Sequence, residues 1–206
     1  KTSILLFLLT VFIDLVGFGM VVPLVPMYSR HYGASGWMIG AIIASFSAMQ
    51  FIFSPIWGRL SDRHGRRPIL LISTAGASLS YVLFAVASGI HNPTFALAAL
   101  LLSRAFAGAC GGNITVAQAY IADITPPENR SKRMGLIGMA FGLGFIFGPA
   151  ISGIALKFGG ATAPGWTAAT LCALNFVLAY KILAESLQPG SGHAGNRPRF
   201  AQWGHT

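Results

Sequence analysis

Negative charge is what this sequence has least of: five acidic side chains stand against fourteen Lys and Arg in 206 residues. All charged residues together make up 9%, where a water-soluble domain carries about 25%. A water-exposed surface cannot be coated with so few. Cysteine is almost missing too. Cys110 and Cys172 both lie inside apolar runs, which excludes a disulfide framework or a thiolate metal site and leaves two small buried hydrophobes. There is no nucleophile–base set, metal cluster or phosphate loop, so a soluble enzyme has no support. No cleavable leader is expected, since the first apolar stretch is long enough to span and lacks a small-residue cleavage site.

What is present is hydrocarbon. Hydrophobic residues make up 54% of the chain, and its mean hydropathy is +0.65. A membrane-crossing helix needs about 20 mostly apolar residues, and six stretches qualify: 4–28, 37–58, 68–90, 94–121, 134–157 and 164–184. Each is too long for a strand, and an open sheet edge is not tolerated in lipid. The expected fold is an all-α membrane protein of six transmembrane helices over 1–187, with a Pro/Gly-rich linker over 188–206.

The net charge of +9 could suggest nucleic-acid binding, but the basic residues form short clusters between apolar runs rather than a stripe. Nucleic acid is therefore not an expected partner; the lipid bilayer is. The loop after the second span carries Arg59, Arg63, Arg66 and Arg67, and the loop after the fourth carries Arg130, Lys132 and Arg133. The opposite loops offer only Arg30 and, at one edge, Lys157. By the positive-inside rule the basic loops and both termini face the cytoplasm.

Two ionisable residues sit near the middle of a span, Asp14 and Arg104. Each is about ten residues from its helix start, or about 15 Å deep. Charge at that depth is expensive and is by default a functional-site hypothesis. In the fourth span Arg104, Gly108, Gly111, Thr115 and Gln118 follow helical spacing on one face. Thr10, Asp14 and Gly17 do the same in the first span, and Ser47, Gln50 and Ser54 in the second. Three small or polar stripes are expected around a water-accessible cavity. In the fifth span Gly138/Gly142 and Gly144/Gly148 form two GxxxG pairs, followed by Pro149 and Gly153. That spacing permits close helix approach, and the proline permits a kink.

The segment "GRLSDRHGRR" follows the order G-x-L-x-D-R-x-G-R-R through Gly58, Leu60, Asp62, Arg63, Gly65, Arg66 and Arg67. It resembles the loop signature of the major facilitator superfamily between its second and third helices. "SRAFAGACGG" (103–112), "GMAFGLGFIFGPAISG" (138–153) and "DLVGFGMVVPLVP" (14–26) resemble the fourth-, fifth- and first-helix motifs of its proton-coupled drug antiporters. "AYIADITPPENRSKRMG" (119–135) is most similar to the tetracycline-resistance-like branch.

The resemblance implies the N-terminal half of a transporter, with a 3+3 inverted repeat, in the cell membrane. It implies proton-coupled efflux of a small amphipathic drug, driven by the proton gradient and needing no cofactor. Asp14 would take part in proton coupling or bind a cationic substrate group, with Arg104 biasing it; Gln50, Asn113 and Gln118 would complete the cavity wall. Asp62 would dock on a helix of the missing second half and latch the cytoplasmic gate. The chain stops where that half should begin, so a C-terminal half or a partner chain is expected. The alternatives are a metabolite or sugar carrier of the same superfamily, or a truncated, non-transporting membrane subunit.

Overall fold

The computed structural model describes residues 4–183; the expected linker at 188–206 lies outside them. Among the described residues the regular structure is helical throughout. In chain order the helices are α1 (Ile4–Val21), α2 (Leu24–His31), α3 (Gly36–His64), α4 (Arg66–Ser88), α5 (Pro93–Cys110), α6 (Asn113–Ile124), α7 (Arg130–Gly159) and α8 (Ala163–Ile182). A 3-10 turn, Pro127–Asn129, precedes α7.

Local chemistry sets the boundaries. Ser35 caps α3 by accepting from the Met38 N–H at 3.4 Å. Asn92 caps α5 by accepting from Thr94 and Phe95, with Pro93 in the first turn where its missing N–H costs nothing. Gly65 and Gly160 end α3 and α7 at φ +100° and +74°, a backbone region that glycine enters without a Cβ penalty. Both follow a helix with an internal proline, Pro55 in α3 and Pro149 in α7.

Six crossing units result, because α1–α2 and α5–α6 are each one broken span. Five of them are long and apolar enough to cross a membrane, from Leu5–His31 to Pro127–Gly159. The sixth, α8, has the length at 20 residues, but Thr167, Thr170, Asn175 and Lys181 lower its hydropathy. Unit one packs on unit five, four on two, three on six, three on four, and one on six. Exchanging one with four, two with five and three with six maps one–five onto four–two and three–four onto six–one, and leaves three–six unchanged. That is the packing signature of an inverted repeat.

The tightest crossings use glycine. A Cβ at Gly148 would lie 2.6 Å from the Met20 nitrogen, and one at Gly144 would lie 2.8 Å from the Leu15 carbonyl. In the symmetry-related crossing, a Cβ at Gly108 would strike the Phe46 carbonyl of α3. Only the second GxxxG pair of α7 takes part. Gly138, Gly142 and Gly153 have open space where a side-chain methyl would go, and they share an exposed face with Pro149.

Two apolar clusters make the core. One gathers Val16, Met20, Tyr28, Phe84, Leu100 and Ala168; the other gathers Phe7, Val11, Leu15, Ile69, Val116 and Ile121. Phe7 and Tyr120 stack within the second, with ring centroids 4.4 Å apart. A thin polar layer separates the two clusters. Beyond the first, the Tyr28 and Tyr32 hydroxyls donate to the Ala161 and Ser88 carbonyls at 2.6 and 2.9 Å, tying α2 to the two neighbouring loops.

Candidate functional site: a caged carboxylate and an arginine-rich motif

Asp14 is the centre of the polar layer and is 7% exposed. Three other helices supply its partners. From α8, the Asn175 amide donates to Oδ1 at 2.8 Å. From α6, the Asn113 amide donates to Oδ2 at 3.2 Å, and from α4 the Thr74 hydroxyl donates to the same oxygen at 3.2 Å. The Cys172 thiol of α8 neighbours the same carboxylate, so it is more than the apolar filler its sequence context implied. Asn175 also donates to the Thr10 carbonyl at 2.8 Å, while its own Oδ1, fully buried, has no donor. All these partners are neutral. A cage of amides and hydroxyls can hold a carboxylate through its N–H and O–H groups. The unused Asn175 acceptor can receive a hydrogen bond from the protonated acid. The arrangement thus suits either protonation state.

Arg104 does not pair with Asp14. Its guanidinium carbon lies 5.3 Å from the Phe84 ring centroid and 6.0 Å from that of Tyr81, and its Nε and Nη2 are buried without a hydrogen-bond acceptor. Tyr81 neighbours both charged residues, and aromatic faces hold the cation.

A cavity of about 80 Å³ opens beside Asp14, lined among others by Phe18, Gln50, Tyr81, Cys110 and Asn113. Drug-sized sites run to about 300–1,000 Å³, so this cavity by itself is too small to enclose such a ligand. Gln50 and Asn113 reach it as the sequence suggests. Gln118 does not: it is exposed and lines neither cavity that borders Asp14. The helical stripe from Arg104 to Gln118 breaks at Gly111–Gly112, where the chain turns between α5 and α6. Arg104 and Gly108 are buried in the helix packing, whereas Thr115 and Gln118 point outward. The carbonyls freed by the break find partners on α3. Trp57 Nε1 donates to Ala109 at 2.6 Å, and Gln50 Nε2 donates to Gly111 at 3.3 Å. Unpaired backbone groups inside a membrane are costly, so these two side chains make the broken span possible.

The arginine-rich motif is more helical than a loop reading implies. Span two runs through His64, so Gly58 is a helix-interior residue with open space beside it, and the turn falls on Gly65 alone. Gly65→Ala should cost about 1–3 kcal/mol, measured as a lower Tm in detergent. Arg66 organises the motif. It pairs with Asp62 at 2.5 Å and with Asp123 of α6 at 3.0 Å, and it donates to Ser61 Oγ at 2.7 Å. Arg67 donates to the Tyr180 carbonyl of α8 at 2.8 Å and lies over the Tyr180 ring. Arg63 and Asp62 are exposed, the Asp62 side chain by 62%. Asp62 is therefore open to a further partner.

Asp123 has no role that sequence alone assigns, although it is one of only five acids. Asp123→Ala should lower stability by about 1.5 kcal/mol, the low end for a hydrogen bond to a charged group. The same Tm measurement checks it. Asn175, Thr74, Tyr81 and Cys172 also escape a reading of the sequence as site residues. A lone Asn in the middle of "LCALNFVLAY" is a usable signal, because polar side chains in lipid need partners. The others carry no signal of their own.

Residues 7–205 match the family model described as Major Facilitator Superfamily. Tetracycline resistance protein, class E, of Escherichia coli is 37% identical over 187 residues, covering 89% of this chain and 44% of that protein. The class B protein of Escherichia coli is 42% identical, with 69% and 35% covered. Multidrug resistance protein 2 of Bacillus subtilis (strain 168) is 33% identical, with 94% and 46% covered. Among solved structures, the human organic anion transporter MFSD10 (TETRAN) superposes with a TM-score of 0.76 at 28% identity, covering 90% of this chain and 48% of that one. A D-xylose-proton symporter at 20% identity and a TM-score of 0.67 shares the fold. The chain spans about half the length of the relatives it matches.

Proposed function

We propose that this chain, which belongs to the major facilitator superfamily, acts as the N-terminal six-helix half of a proton-coupled exporter of small amphipathic compounds. It is an integral, multi-pass membrane protein. The proposed orientation puts the arginine-rich end in the cytoplasm of a cell-membrane transporter, and the second wall of the cavity comes from a further six helices or a partner chain.

One observation carries this reading: a buried carboxylate with only neutral partners at the wall of a cavity. A structural ion pair would have matched Asp14 with Arg104. A cage of amides instead lets the acid gain and lose a proton in place, as a coupling residue must. The tetracycline-resistance and multidrug relatives support export as the direction and a drug as the cargo, and their names are those of transport and resistance proteins rather than enzymes.

The test is tetracycline as a probe in proteoliposomes holding the complete transporter. With a pH gradient imposed, tetracycline addition should move protons, and dissipating the gradient should stop tetracycline accumulation. Accumulation that survives without a proton gradient would sink the proposed coupling. Tetracycline that neither binds nor moves would remove it as a cargo.

A further inference from the structure

Asp14 borders a second cavity, on its other side. This one is about 20 Å³ and is lined by Thr10, Thr74, Asn113 and Ala179, with Phe7, Leu70 and Leu183 below. About 10–15 Å³ of such volume holds one water, which needs two to four polar partners. The Asp14, Thr10, Thr74 and Asn113 side chains provide them. The cavity lies in the seam of α1, α4, α6 and α8, on the side of Asp14 nearest the arginine-rich end. The first cavity faces the other way, toward Phe18, Phe46 and Tyr81.

Resting on the reading of Asp14 as the coupling acid, we propose that this lower cavity is a proton exit inside the six-helix half, separate from the cleft that a substrate would use. In the step itself, the Asp14 carboxyl breaks its O–H bond and passes the proton to a water in the lower cavity. The carboxylate is left to its amide donors, and the water carries the charge toward the arginine-rich end.

Three observations carry this. Asp14 lines both cavities, together with Leu15, Asn113 and Ile114, so one residue borders space on two sides. The lower cavity is polar at Asp14 and apolar at its far end, where Phe7, Leu70 and Leu183 are all buried; that makes a plug rather than an open pore. The plug's helix ends are held by the gate motif. Arg67 at the start of α4 grips the Tyr180 carbonyl near the end of α8, and Arg66 beside it grips Asp123 on α6. A movement that pulls the motif away loosens the ends that seal the cavity, which ties proton release to gate opening. The titratable groups facing Asp14 are Cys172 from α8 and Tyr81 from α4. Arg104 of α5 lies beyond Tyr81, α3 and α6 present the neutral Gln50 and Asn113, and α7 presents Phe141.

Two substitutions of opposite sign test the route in the complete transporter in proteoliposomes. Ala179→Leu fills the cavity and should slow tetracycline-driven proton movement about tenfold, the scale of losing one bridging water, while tetracycline affinity is unchanged. Leu70→Ala trims the plug and should raise the proton leak several-fold without tetracycline. Adding Asp14→Asn to Leu70→Ala should remove that leak. General damage to packing would slow transport in both variants. The proposal is overturned if Ala179→Leu leaves proton movement intact, if folded Leu70→Ala does not leak, or if the leak survives Asp14→Asn. Should Ala179→Leu fail to fold, the Leu70→Ala pair decides alone. If Asp14→Asn by itself leaves tetracycline-driven proton movement intact, the coupling role of Asp14 fails first, and this route with it.

Discussion

Asp14→Asn should abolish proton-coupled transport, lowering the rate by about 10²–10⁴-fold, the usual contribution of a positioned acid–base group. Membrane insertion should persist, with a stability loss of about 1–3 kcal/mol. Asparagine matches the shape of aspartate and its oxygen keeps one side of the cage, but its N–H₂ group then faces a donor among Asn175, Asn113 and Thr74. The exchangeable proton is lost as well. Asp14→Leu is the harsher comparison. It leaves those donors buried without an acceptor, at about 1–3 kcal/mol each, and should reduce folded protein as well as transport. The pair separates chemistry from structure when proton movement is measured beside Tm and yield. Asn at this position with near-normal proton movement would mean that Asp14 is a helix-orienting polar contact and that coupling lies elsewhere.

Gly148→Ala should be among the most damaging glycine-to-alanine changes at the described positions. The added carbon would meet the backbone of Gly19 and Met20, and backbone cannot rotate aside as a side chain can. Unit one must then move off unit five, the most extensive crossing in the bundle. Overpacking costs about 1–3 kcal/mol where side chains can adjust, so a loss at the top of that range or beyond is expected. It would be seen as a large fall in detergent Tm. Gly142→Ala on the same helix is the control. Its methyl enters open space, and alanine gains about 1 kcal/mol over glycine in a helix interior, so Tm should hold or rise. Equal losses in the two variants would show that α1 and α7 do not cross where the glycines put them.

The contrast between those glycines shows where sequence reading stops. Gly138/Gly142 and Gly144/Gly148 have the same spacing and the same composition around them. A GxxxG pattern states that a close approach is possible, and only the position of the neighbouring helix states which pair makes it. The Asp14–Arg104 question has the same form. Equal depth in two spans is readable from residue counts, but contact depends on how each helix is rotated. Here Arg104 is turned onto the Phe84 and Tyr81 rings of a third helix instead.

Sequence alone determined the environment, the number of crossings, the arginine-rich end and the placing of Asp14 within a span, because each follows from solvation. Hydrocarbon rejects charge wherever it lies, and that rejection needs no knowledge of neighbours. Tertiary structure decided which neutral groups cage the acid, that Gln118 faces outward once α5 and α6 part at Gly111–Gly112, and that Asp123 rather than solvent meets Arg66. Those outcomes depend on the direction and distance between residues far apart in the chain. A single sequence records the partners of a contact but not the contact itself.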